Sequence, residues 1–218
     1  MGLIGILHDR LVVRRRVEVL SSWFSELAPR DARILDVGCG DGLLSSTIYS
    51  KRSDLIVRGV DVLARERAHI PVEVFDGQKL PFGDASFEAV LFSDVLHHTD
   101  DPKVLLREGR RVASQCVLIK DHYREGFAAG PRLRLMDWTG NARFGVSLPY
   151  NYWTEGQWQQ AWEEVGLFPE ELITHLGLYP RPVDLLFGAR LHFVARLTRS
   201  PREIPRGIPA NVVASQAR

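Results

Sequence analysis

Two cysteines, Cys39 and Cys116, are all that the 218 residues contain. Each lies inside an apolar segment, far from the other. That is too little for a disulfide framework or a zinc site, so no metal is expected and a reducing cytoplasm is the default location. A surplus of charge of one sign is also missing: 28 Lys and Arg face 27 Asp and Glu, for a net charge of +1. No basic field draws in nucleic acid, and the consecutive Arg14, Arg15 and Arg16 read as a solvated helix face. Long apolar runs are absent too. The opening stretch MGLIGILHDRLVVRRR is too short in its apolar part to span a bilayer, and its arginines follow that part, the reverse of a secretory signal. A transmembrane segment is therefore not expected. Peripheral contact of the first residues with a membrane or a lipid-like molecule stays open, as does the oligomeric state.

What is present is a chain 45% hydrophobic and 25% charged, which suits one globular domain with a real core. Apolar side chains at helical spacing over 11–28 predict an N-terminal helix that Pro29 ends. ARILDVG (32–38), DLIVRGVD (54–61), VEVFD (72–76), FEAVLFSD (87–94) and QCVLIKD (115–121) are compact apolar runs, as buried parallel strands should be. Helical or turn segments over 43–51, 63–68 and 102–113 separate them. Such alternation means crossover units and a parallel sheet covered on both faces. Ligands sit beyond the carboxyl ends of such strands, which puts Asp36, Asp61, Asp76, Asp94 and Asp121 on one rim. Residues 122–150 show no clean period. A capped helix follows, with Thr154 before EGQWQQAWEEVG, Gln157 three positions on and Gly166 as a stop. Two strand candidates lie near 167–176 and 190–198. One domain over 1–199 is expected, comprising a helical segment 1–29 and an insertion at 122–153, with a loose tail over 200–218.

The loop LDVGCGDG (35–42) follows the first strand and opens a helix. A dinucleotide fingerprint would place its third glycine at 43, where Leu43 stands, so NAD is disfavoured; no Gly-Lys-Ser/Thr follows, so a Walker loop is excluded. The segment resembles the first motif of the class I S-adenosylmethionine-dependent methyltransferases, an acid followed by G-x-G-x-G. GVDV (59–62), FDGQKLPFGDASFEAVLFSDVLHH (75–98), DPKVLLREGRRV (101–112) and WTEGQWQQAWEEVGL (153–167) extend the resemblance, which is close over about 30–121 and loose over 153–198. The small-molecule branch, of quinone and natural-product type (methyltransferase-11-like), is the nearest. The resemblance implies a Rossmann-like doubly wound α/β sheet, mostly parallel, with an antiparallel last strand. It implies S-adenosylmethionine as cofactor. Asp36, Gly38 and Gly40 would hold the cofactor's amino acid end, and Asp61, beside Val62, its ribose. Asp76 and Gly77 would meet the adenine, with Ser93 and His98 near the methionine part.

Methyl transfer from a sulfonium is an in-line displacement. The enzyme positions the acceptor and removes a proton where the acceptor must lose one. The fourth strand ends in SDVLHH without the Asn/Asp-Pro-Pro-aromatic sequence of the adenine and glutamine modifiers. No cysteine is placed for pyrimidine chemistry. A small or lipid-like metabolite is the expected acceptor. The fifth strand ends in Lys120, Asp121, His122 and Tyr123, where His122 is the expected general base and Asp121 its orienting group; His98 competes and His97 ranks lower. The 122–150 stretch, with Arg132, Arg134, Arg143 and several aromatics, is expected to cover the acceptor. The other reading is a non-catalytic cofactor-binding module acting through a protein partner.

Overall fold

The computed structural model describes residues 13–63, 65–141, 150–181, 183–188 and 190–201. The first twelve residues, nearly all of the expected tail, and Arg143 and Phe144 of the expected cover lie outside them. Seven strands form one sheet: β1 (Arg33–Val37), β2 (Ile56–Asp61), β3 (Val72–Val74), β4 (Phe87–Ser93), β5 (Ala113–His122), β6 (Phe168–Ile173) and β7 (His192–Thr198), in the order 3-2-1-4-5-7-6. Strands β1 to β5 run parallel, and β7 lies antiparallel between β5 and β6. This is the doubly wound, mostly parallel α/β sheet with an antiparallel last strand.

The central strands are mostly apolar in their middles because both faces are buried there, and their alternation assigns these residues to a core. On β4, Val90 and Phe92 face one core while Ala89 and Leu91 face the other; on β5, Val117 and Ile119 oppose Cys116 and Leu118 in the same way. Helix α1 (Arg14–Leu27) and α2 (Leu43–Lys51) cover the second face with Leu20, Phe24 and Ile48. Helix α3 (Pro102–Val112) and α5 (Glu155–Glu164) cover the first with Leu105, Leu106, Trp158 and Trp162. Local chemistry sets the helix starts. Asp101 accepts from the Lys103 N–H with Pro102 in the first turn, and Thr154 and Gln157 form the expected capping box.

One expectation is corrected. The stretch after β5 is not irregular: it holds helix α4 (Ala129–Asn141), and a short helix α6 (Val183–Phe187) stands later in the chain. In α4, Leu133 is buried with Ala129, Tyr152 and Leu191, while Leu135 and Trp138 point outward, 51% and 59% exposed. Apolar side chains on both sides of the helix erase the 3.6-residue signal that marks the other helices.

Candidate active site

Strands β1 and β4 are neighbours at the point where the sheet's winding reverses, and crevices form beyond the strand ends there. The β1 end leads into a glycine turn. Gly38 has φ +72°, and a Cβ on it would lie 2.5 Å from Cγ2 of Val95, so no side chain fits there. The Gly40 N–H donates to Oδ2 of Asp61 at 2.8 Å, and the Leu63 N–H donates to Oδ1 at 2.9 Å. Asp61 thereby fastens the ends of β1 and β2 together. With Phe75 and Gly77 after β3, and Ser93, Asp94 and Val95 at the β4 end, these residues line a cavity of about 570 Å³, to which His98 and Thr99 also contribute.

Of the residues expected to hold the cofactor, Gly38, Gly40, Asp61, Val62, Gly77, Ser93 and His98 line this cavity. Asp36 and Asp76 do not. Asp36 is buried below the glycine turn, where Oγ of Ser45 donates to it at 2.6 Å. Burial pushes its pKa up to about 7, partly offset by that hydrogen bond. Asp76 is exposed and accepts the N–H groups of Gln78 and Lys79, both at 2.8 Å, which hold its carboxyl below the usual range. It closes a turn between two cavity residues, Phe75 and Gly77.

Behind the cavity lies a polar cluster at the ends of β4 and β5. Asp94, in the left-handed region at φ +59°, receives Arg16 from α1 and Lys120 from β5, and Nε2 of His122 lies 3.1 Å from its Oδ1. Burial works to raise the Asp94 pKa, but Arg16 and Lys120 prevail and hold the carboxyl well below the ordinary value. Lys120 is fully buried, and burial together with Arg16 lowers its pKa to about 8 against the pull of Asp94. His122 is 3% exposed and does not line the cavity. Burial and Lys120 depress its pKa to about 4, opposed by the bond to Asp94, so its ring is neutral at pH 7. Asp121, also fully buried, accepts from Nδ1 of His97 at 2.7 Å and from the His122 N–H at 2.8 Å. The His97 ring lies 4.1 Å from His98 and 4.7 Å from His122, centroid to centroid. The site thus has two layers. His98 and Asp94 face the cavity; Asp121 and His122 stand behind them.

Sequence reading put Arg16 on a solvated helix face, whereas it is part-buried against Asp94; it gave Lys120 and His192 no role, and Asp94 only a place on the rim. Arg16 and Asp94 lie 78 positions apart, so only the fold brings them together. Lys120 did leave a signal, a lysine ending an apolar run inside a central strand. Within the stretch expected to cover the acceptor, Arg134 sits over the Tyr150 ring at 5.4 Å and Arg132 donates to the Leu186 carbonyl at 2.8 Å.

Residues 35–116 match the family described as the methyltransferase domain. Two curated relatives are each 31% identical to part of this chain: 27-O-demethylrifamycin SV methyltransferase of Amycolatopsis mediterranei, over 93 residues, and malonyl-[acyl-carrier protein] O-methyltransferase of Legionella pneumophila, over 99. The matches cover 37% and 41% of this chain. The chain spans about a third of the length of these relatives, 34% in each case. Among solved structures, geranyl diphosphate C-methyltransferase of Streptomyces coelicolor A3(2), bound to Mg2+, geranyl diphosphate and S-adenosyl-L-homocysteine, superposes with a TM-score of 0.60. The two are 14% identical over 84% of this chain and 79% of that one. Residues 35–116 thus resemble a methyltransferase domain, and the sheet around them has the fold of the class I S-adenosylmethionine-dependent methyltransferases. S-adenosylmethionine is the cofactor of that class, and the cavity suits it. The glycine turn brings bare backbone to the cavity wall, Asp61 presents a carboxylate at the β2 end, and no lysine of a phosphate loop intervenes.

Proposed function

We propose that the chain is an S-adenosylmethionine-dependent methyltransferase acting on the oxygen, nitrogen or carbon of a small or lipid-like metabolite. The observation that carries this reading is the cavity at the β1/β4 switch point, lined by both the Asp61 anchor and His98. When bound, the sulfonium cofactor supplies the methyl group. The chain's own residues hold cofactor and acceptor in line and take up a proton. Gly38, Gly40, Asp61, Val62, Gly77 and Ser93 serve the cofactor in this reading. His98 faces the space left for the acceptor and is the group with direct access to its proton.

Asp121 and His122 then act as positioning residues. Asp121 holds the His97 ring that packs against His98, and His122 supports the Asp94 carboxylate. Asp36 and Asp76 contribute by shaping the turns beside the cavity.

A methyl-release assay against a panel of hydroxylated, amino and lipid-like metabolites tests the activity. With an acceptor in hand, His98→Ala should lower turnover by roughly 10²- to 10⁴-fold while cofactor affinity changes far less. Full turnover in that variant would remove His98 from the chemistry. Cofactor binding with no methyl release across the panel would favour a binding module that acts through a partner.

A further inference from the structure

We propose that His97, Asp121 and His122 form a binding site for one divalent transition-metal ion of zinc type, behind the acceptor side of the cavity. The inference concerns metal binding alone and stands apart from methyl transfer. It begins with an imbalance. Asp121 is fully buried, yet only Oδ1 is served, by His97 and by the His122 N–H; Oδ2 has no partner among the described residues. Beside it, the buried His122 directs Nε2 at Asp94, and its Nδ1 also has no partner among the described residues. Buried polar atoms are normally satisfied, and here a carboxylate oxygen and an imidazole nitrogen are left over on adjacent residues.

The same residues, with His97, also stand close enough to form a donor set. One ligand atom from each of His97, Asp121 and His122 can be chosen so that all three lie within 4.8 Å of one another. Ligands about 2.1 Å from a tetrahedral ion stand about 3.4 Å apart, so the widest pair would have to close by no more than about 1.4 Å. An ion reached through Nδ1 of His97 would take the place of the proton that now joins it to Asp121, as metal binding displaces protons from its ligands.

The chemistry of the set selects the ion. Two imidazoles and one carboxylate suit zinc and its transition-metal neighbours, whereas magnesium and calcium want oxygen alone. Asp94 supplies the outer support. A carboxylate that holds one nitrogen of a ligating histidine fixes its tautomer and leaves the other nitrogen's lone pair for the metal. Arg16 and Lys120 are committed to Asp94. The expectation of no metal rested on the low cysteine count, which does not bear on a site built from histidine and aspartate.

The test uses the full chain with any affinity tag removed and stripped with a chelator. It is titrated calorimetrically with Zn2+, and with Co2+ for visible absorption. One ion per chain at micromolar affinity or tighter is expected, with the visible bands of a nitrogen- and oxygen-bound Co2+ ion and a higher melting temperature after loading. Asp121→Asn and His122→Gln should each weaken Zn2+ binding by about tenfold or more, while the exposed-histidine control His175→Gln should leave it unchanged. Should a variant fail to fold, the wild-type stoichiometry, spectrum and melting shift still decide. A stoichiometry far below one, or unchanged affinity in folded Asp121→Asn and His122→Gln, would overturn the proposal. The pair would then be a buried His97–Asp121 ion pair with no metal.

Discussion

Asp36 and Asp61 lie near the ends of adjacent parallel strands but differ in what they face. Asp36 is turned into the protein with one hydroxyl for company, and its pKa is raised to about 7. The folded state thus prefers the protonated acid. The stability this contributes is complete below the unfolded pKa near ~3.9 and is lost as pH rises through about 7. Asp36→Asn mimics the neutral form and can still accept from Ser45. It should melt about 3 °C or more above the wild type at pH 8 and close to it at pH 4; equal melting at both would mean the carboxyl is solvated. Asp61 instead ties two backbone amides at the cavity wall. Asp61→Ala should weaken S-adenosylmethionine binding by about 1–3 kcal/mol, read by calorimetry, because a charged acceptor is removed from the site and the glycine turn loses its fastening.

Among the elements, α5 is the clearest case of a helix keyed to the site. Trp158, 1% exposed, packs against Phe193 and Trp162 and donates its indole N–H to the His122 carbonyl at 2.9 Å. Trp158→Phe keeps much of the apolar volume but strands that carbonyl, whereas Trp158→Ala also opens a hole. The alanine variant should cost about 3–5 kcal/mol in chemical denaturation and the phenylalanine variant less. This helix was legible because its cap, its apolar spacing and its glycine stop agree with one another. The strands were legible for a similar reason: a strand buried on both faces is mostly apolar in its middle, so the aspartates near the ends of runs such as ILDVG and AVLFSD mark direction and the approach to the ligand rim. Helix α4 was not legible, because Leu135 and Trp138 face outward while Leu133 faces in. The polar cluster was only half legible. Asp121 and His122 are consecutive in sequence, but no local pattern announces that Arg16 and Lys120 meet on Asp94 or that His192 of β7 packs 4.8 Å from His122.

For the whole molecule, the near-zero net charge and the two cores lead to one expectation. The two faces of the sheet share strands, so a ligand bound at the strand ends should stabilise both together. Saturating S-adenosylmethionine should raise a single melting transition, by an amount that grows with the logarithm of its concentration. NAD should leave it unmoved, since Leu43 stands where the dinucleotide turn needs glycine. Two separate transitions, only one of them cofactor-sensitive, would contradict that coupling.

The position of β7 has a consequence for how the chain is made. Cys116 to His122 of β5 pair along one side with β7 from Thr198 back to His192, and β6 reaches the sheet only through β7. A ribosome delivers β1 to β4, and with them most of the cavity wall, long before residue 192 emerges. Throughout that interval β5 carries an open edge on a strongly apolar strand, the kind of surface on which nascent chains pair wrongly or are taken up by chaperones. Closure of the sheet is therefore a late event in synthesis. A ribosome stalled short of residue 192 would hold a chain whose ligand pocket is largely built and whose β5 edge is still open.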